Sequence, residues 1–295
     1  MLKVVGSEAA EDQVGGRSLL DATGCSRRGR PASRRRRRRD LAPNLLTDAA
    51  RSACAIRNCP SIRRRREAEP GSMSDAPTRV AKHDFVPAAP QLWLYDFLVA
   101  VLTRESRWRP VLLRQINPTA DDSIADIGCG TGTLLALIDR TARPAVLIGI
   151  DPDRAILERA RRKVAEVGAC VDFQLGYARD AAALLDRRRI NKIVSSLVFH
   201  QVPMPEKRAG LAAMRAALLP GGELHVADYG LQRTALMRKL FRIVGAGDGY
   251  ENTEPNARGV LPELMKEVGF HGVEETAVIP TPTGSISLYR AERGP

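Results

Sequence analysis

Apolar positions in the last two thirds of the chain change their spacing several times. Between Gln91 and Asn117 they recur every three or four residues, a period that predicts one or two helices. Short apolar runs typical of buried strands then alternate with stretches of helical spacing. The predicted strands are Ser123–Ile127, Ala145–Ile150, Val171–Leu175, Ile190–Leu197, Glu223–Asp228, Gly272–Ile279 and Ser285–Arg290. The predicted helices between them are Thr133–Thr141, Asp153–Val167, Lys207–Leu219 and Leu261–Val268.

This alternation of strands and helices is typical of an α/β fold. Parallel strands need a crossover connection, which a helix supplies, and such crossovers are almost always right-handed. We therefore predict an α/β fold with a doubly wound, mostly parallel sheet of seven strands and helices on both faces, formed by residues 73–295.

The first 72 residues show no sustained helical or strand period. They contain the runs Arg34–Arg39 and Arg63–Arg66 and carry a net charge of +9, which leaves +3 of the total +12 for the rest of the chain. This composition predicts a disordered extension. One interpretation is that translation begins at Met73; an arginine-rich arm for nucleic acid or membrane, or a transit peptide, is the alternative. Because the remainder is nearly charge-balanced, we expect no nucleic-acid partner for the folded domain.

The cysteines give little sign of a disulfide or metal framework. There are five, and an odd number without regular spacing argues against a secreted disulfide scaffold. Around Cys54 and Cys59 there is no second cysteine pair and no nearby histidine, so the sequence does not predict zinc. No stretch reaches the roughly 18 apolar residues of a membrane span. We expect a cytoplasmic protein without a bound metal.

A glycine-rich loop, Asp126–Gly132, follows the first predicted strand and precedes a helix. Such a turn at the carboxyl end of a parallel strand borders a ligand crevice. Glycine lets the backbone turn sharply and approach a ligand, and N–H groups at a helix start attract a carboxylate or phosphate. Asp151 directly follows the second predicted strand, where its carboxylate can accept hydrogen bonds from ribose hydroxyls.

Three segments, SIADIGCGTGTLL, VLIGIDPD and LLPGGELHVAD, together resemble the motifs of class I methyltransferases that depend on S-adenosylmethionine (SAM). The resemblance extends from about Leu92 to Glu292. The loop spacing G-x-G-x-G is similar to that family, whereas dinucleotide enzymes have G-x-G-x-x-G; here Thr133 takes the place of the third glycine. The resemblance implies a Rossmann-like fold with SAM as cofactor.

Residue by residue, the resemblance assigns roles within the cofactor site. Gly128, Gly130 and Gly132 would line the methionine moiety, Asp126 would orient its amino group, and Asp151 would hold the ribose. The adenine contact falls to Asp180, one place later than the family pattern. The remaining predicted cofactor contacts are Cys129, Thr131, Pro152 and Ser196.

Methyl transfer from a sulfonium is an in-line displacement, so positioning and desolvation are the main tasks of the protein. Neither a nucleophilic residue nor a metal is needed. His200, after the fourth predicted strand, is the candidate catalytic residue, because a neutral imidazole could take a proton from an acceptor. Alternatively, His200 orders this loop. His225, inside a predicted core strand, is expected to be structural.

Motifs that are missing from this sequence exclude some classes of acceptor. The sequence lacks the Asp/Asn-Pro-Pro-Tyr motif of amino methylases and the Pro-Cys nucleophile of RNA cytosine enzymes. A small molecule or lipid remains as the acceptor class. The sequences of the fourth strand and of the C-terminal region are broadly similar to ubiquinone, menaquinone and phospholipid methyltransferases. The alternatives are an NAD(P)-dependent oxidoreductase, which the glycine spacing disfavours, and a SAM-binding protein without turnover.

Leu231–Tyr250 predicts a basic amphipathic helix. It could close over the acceptor as a lid, contact an anionic membrane at its periphery, or simply pack with a solvated basic face.

Overall fold

The computed structural model describes residues 102–295. The predictions for segment 1–72 and for the helical region before residue 102 lie outside these residues. The strands are β1 (Ser123–Ile127), β2 (Val146–Asp151), β3 (Asp172–Leu175), β4 (Ile190–Ser196), β5 (Leu218–Tyr229), β6 (Phe270–Thr281) and β7 (Gly284–Arg293). The helices are α1 (Glu105–Ile116), α2 (Thr133–Ala142), α3 (Arg154–Glu166), α4 (Ala181–Leu184), α5 (Met204–Ala217), α6 (Ala235–Asp248), α7 (Tyr250–Ala257) and α8 (Val260–Glu267).

The predicted strands and the helices between them are present, with ends that differ by a few residues. Helix α3 begins at Arg154 because the preceding Asp153 is its N-cap. The Asp153 carboxylate accepts hydrogen bonds from the N–H groups of Ala155 at 2.7 Å and Ile156 at 3.1 Å. Donors that would otherwise be unpaired at the helix start are thereby satisfied.

All seven strands form one sheet in the order β3-β2-β1-β4-β5-β7-β6. The five strands from β3 to β5 are parallel to one another. Strand β7 runs antiparallel to both of its neighbours, β5 and β6. The α/β fold with seven strands is confirmed. The sheet is mostly parallel, as predicted, but it is mixed, because the two pairings that involve β7 are antiparallel.

Helices cover both faces of the sheet, and each face has its own apolar cluster. Successive strand residues point to opposite faces. Ile124 of β1 therefore lies in one cluster with Leu112 of α1 and Leu135 of α2. Ala125, the next residue, lies in the other cluster with Leu211 of α5. The prediction of helices on both faces is confirmed.

The order of the central strands fixes the position of the site. From β1 the chain moves outward through β2 to β3, and it then returns to β4 on the other side of β1. The connections that leave β1 and β4 consequently diverge, which opens a crevice at the carboxyl ends of these two strands.

The predicted helix Leu231–Tyr250 is shorter than expected and is followed by a second helix that the sequence analysis missed. Helix α6 ends at Asp248, and α7 begins at Tyr250 after Gly249, whose φ of 87° interrupts the helix. The Tyr250 ring packs across Gly245, where a side chain would lie 2.6 Å from the ring. No helix within residues 102–295 is long and apolar enough to cross a membrane.

Candidate active site

The glycine loop lies at the crevice that the strand order predicts. It leaves β1 after Ile127 and leads into α2. Gly128, Gly130 and Gly132 all have positive φ angles, of 75°, 52° and 74°. Only glycine adopts such angles without cost.

The three glycines differ in what surrounds their missing side chains. A Cβ on Gly128 would collide with the Val198 side chain, in the loop after β4. A Cβ on Gly132 would lie 3.2 Å from Ala160 of α3. By contrast, a Cβ on Gly130 would meet no atom within 4 Å. Gly130 is thus the one of the three that faces open space, whereas the other two allow close packing of the protein against itself.

Most N–H groups of the loop are already used within the protein. The N–H groups of Gly128 and Cys129 both donate to the Ile150 carbonyl, at 2.8 Å and 3.0 Å. The Gly130 N–H donates to the Asp151 carboxylate at 3.0 Å. Helix α2, however, has no side-chain cap at its start. A ligand carboxylate would accordingly meet the first turn of α2 more readily than the loop itself.

Asp151 connects the end of β2 to the glycine loop. It is 8% exposed, and its two oxygens accept hydrogen bonds from the N–H groups of Gly130 and Asp153, each at 3.0 Å. Burial raises the pKa of this carboxyl, and the two backbone hydrogen bonds oppose the rise. Each carboxylate oxygen can still accept a further hydrogen bond. Asp151 can therefore bind ribose hydroxyls while it holds the loop.

Asp126 is a buried carboxyl group without a partner. It is 1% exposed, and neither oxygen has a hydrogen-bond partner among the described residues. Burial raises its pKa to about 7, against the opposing charge of Arg109. A buried polar group that lacks a partner normally marks a site where a ligand or water completes the hydrogen bonds. The amino group of SAM supplies such a donor, so this chain's residues fit the cofactor.

Two further predicted contacts, Thr131 and Pro152, lie beside these groups. The Thr131 hydroxyl accepts a hydrogen bond from Lys163 at 2.9 Å, and Lys163 also donates to Thr133 at 2.9 Å. Lys163, on α3, was missed by the sequence analysis because a lysine on a helix ordinarily indicates a solvated face. Pro152 is exposed immediately after β2.

Asp180 and Ser196 follow β3 and end β4, respectively. The Asp180 carboxylate accepts a hydrogen bond from the Tyr177 N–H at 2.9 Å, and this bond stabilises its own turn. Ser196 pairs with Ala227 of β5, and its neighbour Ser195 donates to the Ile127 carbonyl at 2.9 Å. The ends of β1 and β4 are thereby joined at the crevice.

His200 lies in a short 3-10 turn after β4 and is 3% exposed. Its Nδ1 is 2.8 Å from Asp228 at the end of β5, and its Nε2 is 3.4 Å from Asp248 at the end of α6. Its ring also meets the Tyr229 ring edge-on, with centroids 4.9 Å apart. Burial lowers the pKa of His200, but the two carboxylates raise it more, to about 9.

Asp228 holds the turn that contains His200 against the end of β5. Its role was not predicted from the sequence. Besides His200, it accepts hydrogen bonds from the N–H groups of Val198 at 2.9 Å and Phe199 at 2.6 Å. The signal was present in the sequence, since an acid that ends a buried apolar run has to find donors. Sequence spacing could not show that those donors come from the loop after β4.

His225 lies in β5 and is fully buried. Its ring nitrogens contact Gln115 at 3.1 Å and Glu223 at 3.2 Å, and burial lowers its pKa. These contacts agree with the structural role expected for this histidine.

Comparisons with known proteins agree with this geometry. Residues 124–222 match the family described as a methyltransferase domain. A carboxy-S-adenosyl-L-methionine synthase from Trichodesmium erythraeum is 31% identical over 36% of this chain and 41% of its own length. A demethylmenaquinone methyltransferase from Clavibacter sepedonicus is 28% identical over 62% of this chain and 78% of its own length.

A comparison with solved structures concerns the fold alone. The structure of a phosphoethanolamine N-methyltransferase 2 from Haemonchus contortus in complex with SAM superposes with a TM-score of 0.51, at 14% identity over 64% of this chain and 52% of that chain. The chain spans less than half the length of the first curated relatives it matches. Within that span, residues 124–222 are similar to methyltransferase domains, and the motifs and the fold agree with this match.

Proposed function

We propose that this protein transfers the methyl group of SAM to a small-molecule or lipid acceptor by in-line displacement. The observation that carries the proposal is the buried carboxyl group of Asp126, which has no hydrogen-bond partner within residues 102–295 and lies beside a glycine loop that matches the methyltransferase family. It requires a donor such as an amino group. The open side of Gly130 and the carboxylate of Asp151 border the same crevice.

Each group has a defined task in this proposal. When bound, SAM supplies the methyl group and its own leaving group. Asp126 orients the amino group of the cofactor, and Asp151 accepts hydrogen bonds from the ribose hydroxyls. The uncapped start of α2 attracts the cofactor's carboxylate. Asp180 is assigned to the contact with the adenine. Ser196, at the end of β4, is assigned to the wall of the cofactor crevice.

For His200, the contacts favour the role of a positioning residue over that of a general base. With a pKa of about 9, the imidazole is protonated at neutral pH and cannot accept a proton. Its two ring nitrogens face Asp228 and Asp248, so it joins the end of β5 to the end of α6. In this role His200 fixes the wall of the acceptor site.

The acceptor is proposed to reach the site from a membrane surface or from its vicinity. Leu236 and Ile243 of α6 are 64% and 61% exposed, and they lie on one side of the helix, next to Lys239. An exposed apolar stripe flanked by basic residues is typical of a helix that lies on an anionic membrane. The relative whose name specifies demethylmenaquinone supports an apolar acceptor.

The test is methyl transfer by the full chain with SAM carrying an isotope-labelled methyl group. Small molecules and lipids are extracted and searched by mass spectrometry for products that gain one labelled methyl group. Release of an equal amount of S-adenosylhomocysteine is measured in parallel. Asp151→Ala, at a SAM concentration near the wild-type Kd, serves as the control with reduced transfer. Failure to bind SAM, or turnover of NADH instead, would reject the proposal.

A further inference from the structure

A basic cleft lies between α6 and α7, outside the cofactor crevice. Its volume is about 570 Å³. Phe241, which is buried, and Tyr250, which is 52% exposed, contribute its aromatic surface. The charged residues that line it are Arg238, Lys239, Arg242, Glu254 and Arg258.

The charges in this cleft are not balanced. Glu254 is the single acid, and it pairs with Arg258 at 2.9 Å. Arg238 directs Nη1 to the carbonyls of Gln232 and Arg233, at 3.0 Å and 3.3 Å. Lys239 and Arg242 form no ion pair with any described residue. Two neighbouring cations in a concave site thus lack a negative partner.

We propose that this cleft binds a phosphate group, as a monoester or diester. An arginine guanidinium matches the geometry of phosphate oxygens, and a lysine ammonium adds a second charged donor. The Tyr250 hydroxyl donates to the Arg242 carbonyl at 3.2 Å, and this bond fixes the aromatic wall beside the two free cations. Burial of the Phe241 ring under the cleft gives the site a floor.

The cleft is separate from the cofactor crevice but connected to the His200 corner. The Phe241 ring contacts the Tyr229 ring, with centroids 4.8 Å apart, and the Tyr229 ring contacts His200. The Phe241 and Tyr229 rings would thus connect a phosphate-bearing molecule bound here to His200. The proposal does not depend on methyl transfer, since the cleft contains none of the residues assigned to SAM.

Hydrogen exchange of the full chain, followed by mass spectrometry, localises binding to peptides from residues 235–258. This readout separates the cleft from the arginine runs near the N-terminus. The soluble probe is sn-glycerol 3-phosphate, with glycerol as its neutral control. The lipid probe is a vesicle of phosphatidylcholine and phosphatidylglycerol in equal parts, with pure phosphatidylcholine as its control.

The test variant is Lys239→Ala with Arg242→Ala. The matched control, Arg140→Ala with Arg162→Ala, removes the same charge from exposed positions on α2 and α3. We expect glycerol 3-phosphate to slow exchange in residues 235–258 of the wild type and the control. The test variant should need at least about ten times more probe, because two charged hydrogen bonds are lost.

The two probes identify the source of the phosphate. Protection by glycerol 3-phosphate assigns the cleft to soluble phosphate esters. Protection by the mixed vesicles alone, weakened in the test variant but kept in the control, assigns it to a phospholipid headgroup. Lack of protection by either probe, or equal protection in the test variant and the control, would overturn the proposal.

Discussion

Gly128 and Gly130 both have positive φ angles but opposite surroundings, and this difference can be tested by adding a single methyl group. In Gly128→Ala, the new Cβ collides with Val198, so the free energy of unfolding should fall by about 1–3 kcal/mol more than in Gly130→Ala. Both variants share the strain of a positive φ, about 1–2 kcal/mol. Chemical denaturation without SAM measures this difference.

Gly130→Ala, the variant expected to lose less stability, should lose more SAM affinity than Gly128→Ala. In Gly130→Ala, the new methyl group points into open space that the cofactor is proposed to fill. Its SAM affinity should therefore drop although the protein stays folded. Isothermal titration of both variants at a temperature where each is native would measure the affinities. Wild-type affinity in Gly130→Ala would place the cofactor elsewhere.

Asp151 is expected to contribute both to binding and to stability. A hydrogen bond to a charged acceptor contributes about 1.5–3 kcal/mol, so Asp151→Ala should weaken SAM binding by about ten- to a thousandfold. It also leaves the N–H groups of Gly130 and Asp153 without their acceptor, which should lower the free energy of unfolding by about 1–3 kcal/mol. Asp151→Asn should lie between, since its amide oxygen can still accept. Calorimetric titration and denaturation are compared for all three proteins.

His200 should make stability depend on pH. Its pKa is about 9 in the folded protein and 6.5 ordinarily, so its contribution is complete below pH 6.5 and disappears as the pH rises through 9. The expected loss is on the order of 3 kcal/mol. His200→Gln is neutral throughout, so the difference in unfolding free energy between wild type and variant isolates this titration. A constant difference between pH 6 and pH 10 would mean that the imidazole is not charged in the folded protein.

At the scale of single residues, the sequence predicted the positions that depend on local spacing. Asp126 and Asp151 lie at strand ends that the apolar pattern already located, and the structure brings both to the crevice. Asp228 and Lys163 act through contacts 28 and 32 residues away in the chain, with His200 and Thr131. Such contacts depend on packing, which apolar spacing does not specify.

Among the secondary-structure elements, β1 and α6 show where prediction worked and where it stopped. The bounds of β1 were predicted correctly because its apolar run is short and ends at the glycine loop. Helix α6 was predicted to reach Tyr250 because its apolar and basic residues continue in helical spacing. The pattern could not show that Gly249 takes a positive φ and separates α7 from α6.

Helix α6 also supports a prediction about membrane contact. Leu236→Ser with Ile243→Ser removes two exposed apolar side chains and should weaken binding to anionic vesicles by about tenfold or more, since burial of such a side chain contributes about 1.5–3 kcal/mol. Because neither residue is in the core, the thermal midpoint should stay the same. Vesicle flotation at low salt measures the binding. Equal flotation of this variant and the wild type would favour a helix that serves only as a lid or as packing.

For the whole molecule, the sequence predicted the number of strands but not the reversed direction of β7. An apolar run shows that a strand is buried, yet it does not show which neighbour the strand pairs with. Strand β7 inserts between β5 and β6 and pairs antiparallel with both, over Glu223–Tyr229 on one side and Phe270–Thr281 on the other. The short connection between β6 and β7 permits a hairpin, which a parallel arrangement would exclude.

The choice of cofactor should be visible in the stability of the whole chain. A ligand that binds only the folded state stabilises it by RT ln(1 + [L]/Kd), about 2.7 kcal/mol when its concentration is a hundred times Kd. For a domain of this size, SAM at that concentration should raise the thermal midpoint by about 5–10 °C. NADH at the same concentration should leave the midpoint unchanged, because the loop has the G-x-G-x-G spacing and Thr133 occupies the position of a third dinucleotide glycine. Differential scanning calorimetry of the full chain with each ligand, and with S-adenosylhomocysteine as a second positive ligand, decides between them. A midpoint raised by NADH and not by SAM would reverse the assignment of the crevice from methyl transfer to hydride transfer.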